Sequence, residues 1–416
     1  MIFSIFYIWY GSPLFVFAMA AAAVFSYVSG AMISRYRKKN RPQALRLLRI
    51  TAGIYLVLLF VMKFLGPILT GLRSMGLSFL PDHFIQVPPG FTFLILACIS
   101  YPADICFNRC DPERSAAQLL GWILHFPKLL CGPFVAKKEF TPGKDSRGVN
   151  IYSGLLRFAA GLFKKTVIAA KAYTLFMTVS TLQAGSSVLS AWTGAFAALT
   201  ALYFELSGYA DMAIGLSRMA GYVLPEEFRM PLASRDMKEF TERWSVTLQN
   251  WFRTYVPFGN TSVRTVTAIL LTGLFYRPSL NGLAWGIILA CTALLSKLIP
   301  ERIPAVKRIL LWAALLFSSV FILSPSFADA LHYTAMMFFN ASSFADALTG
   351  SLVFMNLIPA AALCAAVIPV LRPLFRRILN SDAAWIIPPA VILLFVFAVA
   401  AAVSGASMPF IFLRSL

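Results

Sequence analysis

The sequence predicts an all-α, polytopic membrane protein with about ten to eleven membrane helices, supplemented by re-entrant and interfacial helices. Three observations point there. Hydrophobic residues make up 59% of the 416-residue chain and charged residues only 13%, against roughly 25% charged in soluble domains. Apolar runs long enough to cross a bilayer recur along most of its length. The basic residues behind the net charge of +19 gather between those runs, as membrane topology requires. Length alone would allow roughly two or three soluble domains, but composition overrides it, and residues 1–416 read as a single membrane domain.

A spanning helix needs ~20 apolar residues. In chain order the candidate spans are Pro13–Ile33, Ile50–Leu69, Phe91–Phe107, Ile151–Val179, Val188–Ala210, Val266–Tyr276, Leu283–Ile299, Ile309–Leu323, Ser351–Leu371 and Ala384–Val403. Between the third and fourth, Gln118–Val135 contains LHFPKLLCGPF, where Pro127 and Gly132-Pro133 interrupt a helix. Proline removes a backbone donor and clashes with the preceding turn, so a broken or re-entrant segment is expected there. The strongest basic cluster, Arg35, Arg37, Lys38, Lys39, Arg41, Arg46 and Arg49, is assigned to the cytoplasm. Alternation then puts Thr70–Gly90 outside and Asn108–Arg114 inside. The basic loops Lys137–Arg147, Lys297–Arg308 and Arg372–Arg377 also fall inside, and the C-terminus outside.

Several function classes drop out. The cations form no stripe on a soluble module, so no nucleic-acid partner is expected and lipid is the surrounding partner. Cys106 and Cys110 lie four apart, but no second Cys/His pair stands at ligand spacing. With Cys98, Cys131, Cys291 and Cys364 they read as small buried hydrophobes, with no metal and no disulfide framework. The start lacks a basic n-region and a small-residue cleavage site, so no removable signal peptide is expected.

The exception to this greasy pattern is Tyr203–Asn260, an island holding seven of the seventeen acidic residues. Ionisable groups at membrane depth are expensive and mark function. Its first part, Val188–Tyr222, is an apolar helix carrying Glu205, Ser207, Tyr209, Asp211 and Arg218. Two readings stand side by side: an ion-pair network with basic residues of the following segment, or the wall of a polar substrate tunnel. The second part, Asp236–Asn260, places Phe240, Trp244, Leu248, Trp251 and Tyr255 on one helical face, ringed by Lys238, Glu239, Glu242, Arg243 and Arg253. That predicts an amphipathic helix lying at the membrane interface, stopped by Pro257 and Gly259.

The island resembles the membrane-bound O-acyltransferase family, above all its bacterial alginate O-acetyltransferase-like branch. That branch reads Y-F-D-F-S-G-Y-S-D-M-A-I-G-L, then L-P-x-N-F-x-x-P-Y, then F-W-R-R-W-H-x-S-L-S-x-W-x-R-D-Y. Here the same order runs YFELSGYADMAIGL (203–216), LPEEFRMPL (224–232) and FTERWSVTLQNWFRTY (240–255). RDMKEF (235–240) is also similar to the D-alanyl transfer proteins of lipoteichoic acid modification. FPKLLCGPFVAKKEF (126–140), VPPGFTFLILACISYPADI (87–105), SLNGLAWGIIL (279–289) and PFIFLRSL (409–416) match further family blocks. The opening FYIWYGSPLFVF looks like the second segment of longer relatives, which places an N-terminal helix before it in them.

The resemblance implies a multi-helix core, here residues 87–290, around a central tunnel where an acyl group from the cytoplasmic side meets its acceptor. It implies a bacterial inner-membrane protein with no covalently bound cofactor. The donor would be acetyl-coenzyme A or an acylated carrier protein, the acceptor a polysaccharide, and an extracytoplasmic acyltransferase the partner. Its chemical signature is two histidines, one after R-R-W and one in L-W-H-G. A base is needed because an alcohol attacking a thioester must lose its proton, and imidazole suits neutral pH. This chain carries Ser245 and Tyr276 at those two positions, and Thr254 replaces the aspartate of R-D-Y. Adjacent Arg277 would favour a Tyr276 phenolate. Of the histidines, His125 is the candidate displaced base, while His83 and His332 read as ordinary polar residues.

The catalytic positions are therefore Ser245, Tyr276 and His125, and the polar core or tunnel is assigned Glu205, Ser207, Tyr209, Asp211, Arg243, Trp244, Trp251, Arg253 and Asn281. Three readings remain open at this level. The chain is a catalytically degenerate component of envelope polysaccharide O-acylation, an active O-acetyltransferase with a displaced base, or a transporter coupled through Glu205 and Asp211. No internal repeat supports the last.

Overall fold

Apart from one isolated bridge between Pro142 and Tyr222, the regular structure is helical throughout the described residues. The computed structural model describes residues 13–77, 79, 90–143, 147–182, 187–256, 259–339, 344–345, 347–355, 357–367 and 387–404. The first helices are α1 (Pro13–Lys39), α2 (Arg41–Ser74), α3 (Phe91–Cys106), α4 (Ala116–Ile123) and α5 (Phe126–Cys131). Next come α6 (Arg147–Phe163), α7 (Ala170–Leu182), α8 (Val188–Met219), α9 (Met237–Arg243) and α10 (Val246–Tyr255). The remainder are α11 (Thr261–Tyr276), α12 (Leu280–Leu298), α13 (Pro304–Leu323), α14 (Phe327–Met336), α15 (Ala347–Met355), α16 (Leu357–Val367) and α17 (Ile387–Val403).

Among the described residues five helices are long and apolar enough to cross a membrane: Phe15–Lys39, Arg41–Arg73, Val188–Met219, Leu280–Leu298 and Pro304–Leu323. The shorter apolar helices Phe91–Cys106, Leu357–Val367 and Pro388–Val403 accompany them. The expected span Ile151–Val179 is instead α6 and α7 joined by a π-helical turn, Lys164–Ala169. The expected break at Gln118–Val135 takes the form of two short helices. Pro127 sits in the first turn of α5, where its missing N–H costs nothing, and α5 ends before Gly132-Pro133. His83, the loop Arg372–Arg377 and the terminal PFIFLRSL lie outside the described residues.

The chain divides into two compact units, one of residues up to Tyr152 plus Leu216–Pro225, the other of Ser153–Gly215 and the described residues from Glu226 on. In the first, α1, α2 and α3 pack by close approach. A Cβ at Gly30 would lie 2.6 Å from the Tyr101 ring, so glycine sets the α1–α3 distance. Tyr55 donates to the Ala22 carbonyl (2.6 Å) and Ser26 to the Cys98 carbonyl (2.9 Å), satisfying hydroxyls away from water.

In the second unit, glycines again decide where helices touch. A Cβ at Gly161 would meet the Gly208 carbonyl at 2.6 Å, and one at Gly215 would meet the Gly154 carbonyl at 2.6 Å. These pairs repeat at a spacing of seven along both helices, so α6 and α8 run with backbones nearly in contact, as small residues permit in membranes. Gly273, Gly282 and Gly286 do the same for α11 and α12. Two expectations are corrected. The segment Asp236–Asn260 is not one interfacial helix but two, α9 and α10, broken at Trp244-Ser245. Its apolar face is buried in protein, with Phe240, Trp244, Leu248 and Trp251 all 5% exposed or less. Nor are all the cysteines buried, since Cys291 and Cys364 are exposed on their helices.

Candidate functional site

The glycine contacts between α6 and α8 bring three cations of the first helix and its π turn against the acidic groups of the second. Lys165 Nζ lies 2.8 Å from Glu205 Oε1, and Lys164 Nζ lies 2.5 Å from Asp211 Oδ2. Arg157 donates to Asp211 Oδ1 (2.8 Å) and to both oxygens of Glu226 (2.6 and 2.5 Å). Tyr209 offers its ring to Lys165 at 4.4 Å. The ion-pair reading thus describes the geometry, but its cations come from the preceding segment, not the following one. Proximity to Glu205 was hidden from the sequence because a π turn shifts the helical phase of Lys164 and Lys165. Buried Ser207 has an unpartnered hydroxyl and lines a cavity of about 40 Å³ with Lys164, Asp211, Glu226 and Glu227, room for about one or two waters.

The corner between α9 and α10 holds the first histidine-equivalent position. Ser245 has φ 45° and ψ 51°, a left-handed conformation unusual for a residue with a side chain. Its hydroxyl does not cap α10. It donates instead to Glu227 Oε1 at 2.9 Å. Glu227 Oε2 accepts the Thr247 N–H at 3.2 Å and the Thr247 hydroxyl, so a carboxylate from the preceding loop caps the helix N-terminus. Val246 N–H bonds the Glu227 carbonyl (2.9 Å) and Arg229 N–H the Arg243 carbonyl (2.9 Å), stitching loop to corner. Burial pushes the Glu227 carboxyl above the usual range, against the pull of Thr247 and Ser245. Sequence reasoning missed Glu227. The signal was available: LPEEF places Glu227 where the quoted block L-P-x-N-F has asparagine, so this position and Ser245 depart from the pattern together.

Around that corner the aromatic side chains form one packed cluster. Trp244 touches Tyr203, Phe228, Phe240 and Trp285, with its indole N–H unpartnered. Tyr276 meets Trp285 at 5.7 Å, and Trp285 in turn lies 6.5 Å from Trp244, the residue before Ser245. Arg277 does not serve Tyr276. Its guanidinium donates to the carbonyls of Ile322 (3.0 Å), Ser324 and Pro325 (2.5 Å). Asn281 likewise donates to Phe321 (2.9 Å) and Ser324 (3.0 Å) carbonyls. Both satisfy the orphan carbonyls at the end of α13. Arg243 pairs with Glu239 one turn away, Trp251 stacks near Tyr255 at 5.0 Å, and Arg253 donates to Gln249 (3.0 Å) and the Thr241 carbonyl (3.2 Å).

His125 belongs to the other unit, between α4 and α5. Its Nε2 lies 3.0 Å from Ser217 Oγ, and its ring is wedged against Phe140 and Tyr222. Burial, then neighbouring Lys128, pushes the imidazole down to about 3, so it is neutral at physiological pH. Lys128 is itself buried, with its ammonium over the Trp122 ring at 4.1 Å. His332 is exposed on α14. No group of three or more His, Cys, Asp or Glu among the described residues could hold a metal ion.

No protein-family model matches the chain. It is 29% identical over 298 residues to the protein named "Probable alginate O-acetylase AlgI" of Pseudomonas putida, covering 68% of this chain and 61% of that relative. It is also 29% identical over 208 residues to the peptidoglycan O-acetyltransferase of Helicobacter pylori, 46% of this chain and 40% of that protein. The chain is a homologue of the membrane-bound O-acyltransferases. A third relative, the teichoic acid D-alanyltransferase of Bacillus subtilis, is 29% identical over 182 residues, 42% of this chain and 46% of the relative. The chain therefore spans about three fifths of the first-named relative's length, at 61%. Within this O-acyltransferase homologue, the three motif blocks 203–216, 224–232 and 240–255 contribute Glu205, Asp211, Glu226, Glu227 and Ser245 to contacts inside one compact unit.

Proposed function

We propose that this chain is an inner-membrane component of cell-envelope polymer O-acylation. It would carry an acyl group from a cytoplasmic thioester, acetyl-coenzyme A or an acylated carrier, through a central tunnel toward a polysaccharide. An extracytoplasmic acyltransferase would complete the transfer. The observation that carries the reading is the convergence of three ordered motif blocks on one buried polar centre in a chain whose relatives are named for acyl transfer to envelope polymers.

At the two histidine-equivalent positions the chemistry supports passage or docking in preference to catalysis. A hydroxyl already donating to a carboxylate and a buried phenol next to an indole supply no neutral-pH base. A second reading, a displaced base, is favoured by the His125–Ser217 hydrogen bond, since the imidazole is neutral and oriented. A transporter would need Glu205 and Asp211 as exchangeable coupling groups, whereas both are held in ion pairs.

The test is to express the chain with its extracytoplasmic partner and measure polymer-bound acyl ester. On the passage reading, Tyr276→Phe and His125→Ala retain ester formation while Arg243→Ala reduces it. Ester that disappears with His125→Ala, with the protein still folded, replaces this reading by the displaced base.

A further inference from the structure

A groove of about 970 Å³ lies within the second unit, lined by the π turn and α7 together with α15, α16 and α17. That volume stands at the upper end of ligand cavities. Leu175, Leu352, Leu357 and the outward-lying Phe354 and Phe397, 73% and 54% exposed, give it an apolar wall. The hydroxyls on that wall are spent on their own helices. Thr166 donates to the Leu162 carbonyl (2.9 Å), Thr174 to Ala170 (3.0 Å), Thr178 to Thr174 (2.9 Å) and Ser404 to Ala401 (2.9 Å). An occupant is left no hydroxyl proton to bond. One charge interrupts the pattern. Lys171 is exposed, and among the described residues it is the single ionisable side chain on the wall and has no carboxylate paired with it. Lys164 and Lys165, on the π turn just before it, are matched by Asp211 and Glu205. Lys171 also stands inside the expected span Ile151–Val179, where an unpaired cation is costly. The groove therefore presents a cation whose anion the chain does not supply.

We propose that this groove binds one anionic phospholipid of the bilayer, with an acyl chain along the apolar wall and the phosphate paired with Lys171. The inference goes beyond the O-acylation reading and does not rest on it, since the lipid is a bound component and neither donor nor acceptor. Length and charge both favour that occupant. Thr166 to Thr178 covers ~18 Å of helix, about one leaflet's share of the ~30 Å hydrocarbon core. A single cation beside a wall without hydrogen-bond donors matches a single anion on an apolar chain. Thr166 and Val167 belong to the wall and to the π turn alike. The bound lipid thus braces the turn that holds Lys164 and Lys165 against Asp211 and Glu205.

The full chain, purified in a neutral detergent and exchanged against vesicles of phosphatidylglycerol and phosphatidylcholine, tests it, with retained lipid counted by native mass spectrometry. The expected result is one phosphatidylglycerol per chain, preferred about fivefold over phosphatidylcholine, which is what one lysine contributes against anionic lipid. Phosphatidylglycerol should also raise the melting temperature of the parent chain. Lys171→Gln brings the preference close to unity and removes that rise. Lys171 is exposed, so its variant keeps the fold, and Lys138→Gln at another exposed lysine retains the preference. Ala400→Trp, which fills the groove, lowers retention of both lipids. Equal retention of the two lipids, no retained lipid, or a preference that survives Lys171→Gln overturns the proposal. So does full retention by a folded Ala400→Trp chain, which would put the lipid elsewhere. Displacement of phosphatidylglycerol by an equal concentration of palmitate would replace it with a fatty-acid site, and a lipid-free dimer would replace it with a second copy of the chain.

Discussion

At Ser245 two costs and one gain meet in a single residue. The left-handed backbone at φ 45° costs a side-chain-bearing residue of order 1–2 kcal/mol. Its hydroxyl is placed by that conformation to donate to Glu227, and a hydrogen bond to a charged acceptor is worth about 1.5–3 kcal/mol. Ser245→Ala keeps the strain and loses the bond, so thermal or urea melts should show a loss of about 2 kcal/mol. Ser245→Gly loses the same bond but relieves the backbone, and should be less destabilised by roughly 0.5–1 kcal/mol. Equal losses would mean that the corner stores no strain. The pH dependence has a definite sign. Because the folded Glu227 carboxyl is raised by burial, its contribution to stability is full below the usual carboxylate range and is lost as pH rises through the raised value. The sequence displayed the departures at both positions but not their contact, since eighteen residues and a helix start separate them.

At the scale of elements, the legible part was apolar length and the hidden part was helix phase. The spans around Pro13–Lys39 and Val188–Met219 followed from hydropathy alone. The break in Asp236–Asn260 did not, because Phe240, Trp244, Leu248 and Trp251 keep helical spacing across a residue that leaves the helix. The partners of Glu205 were also out of reach, since they depend on the π turn and on the glycine seam between α6 and α8. That seam makes the Lys165–Glu205 pair a consequence of packing, and a double-mutant cycle tests it. Glu205 is fully buried and Lys165 nearly so, so removing either partner strands a charge at a cost of about 3–5 kcal/mol. Glu205→Gln and Lys165→Met should each destabilise strongly, while Lys165→Met/Glu205→Leu recovers most of the loss. Simple additivity of the single losses would show that the pair is not coupled.

At the scale of the whole molecule, function depends on which ends of the helices face the cytoplasm, and the distribution of Lys and Arg among the short loops beside the spans decides it. Cations flanking spans hold their loops on the cytoplasmic side, whereas neutral and apolar loops cross. Lys38, Lys138 and Arg302 are exposed in basic connections, while Met75, 82% exposed, follows a 34-residue helix from the first of them. Single cysteines placed at these four positions, probed on intact cells with a membrane-impermeant maleimide and compared with the parent chain, give a sharp expectation. Met75→Cys should label from outside, and Lys38→Cys, Lys138→Cys and Arg302→Cys only after the cells are opened. The Arg302 result matters most, because it lies in the loop that borders a cavity holding Lys297 and Glu301. Labelling of Arg302→Cys from outside would invert the bundle and put that cavity out of reach of any cytoplasmic thioester.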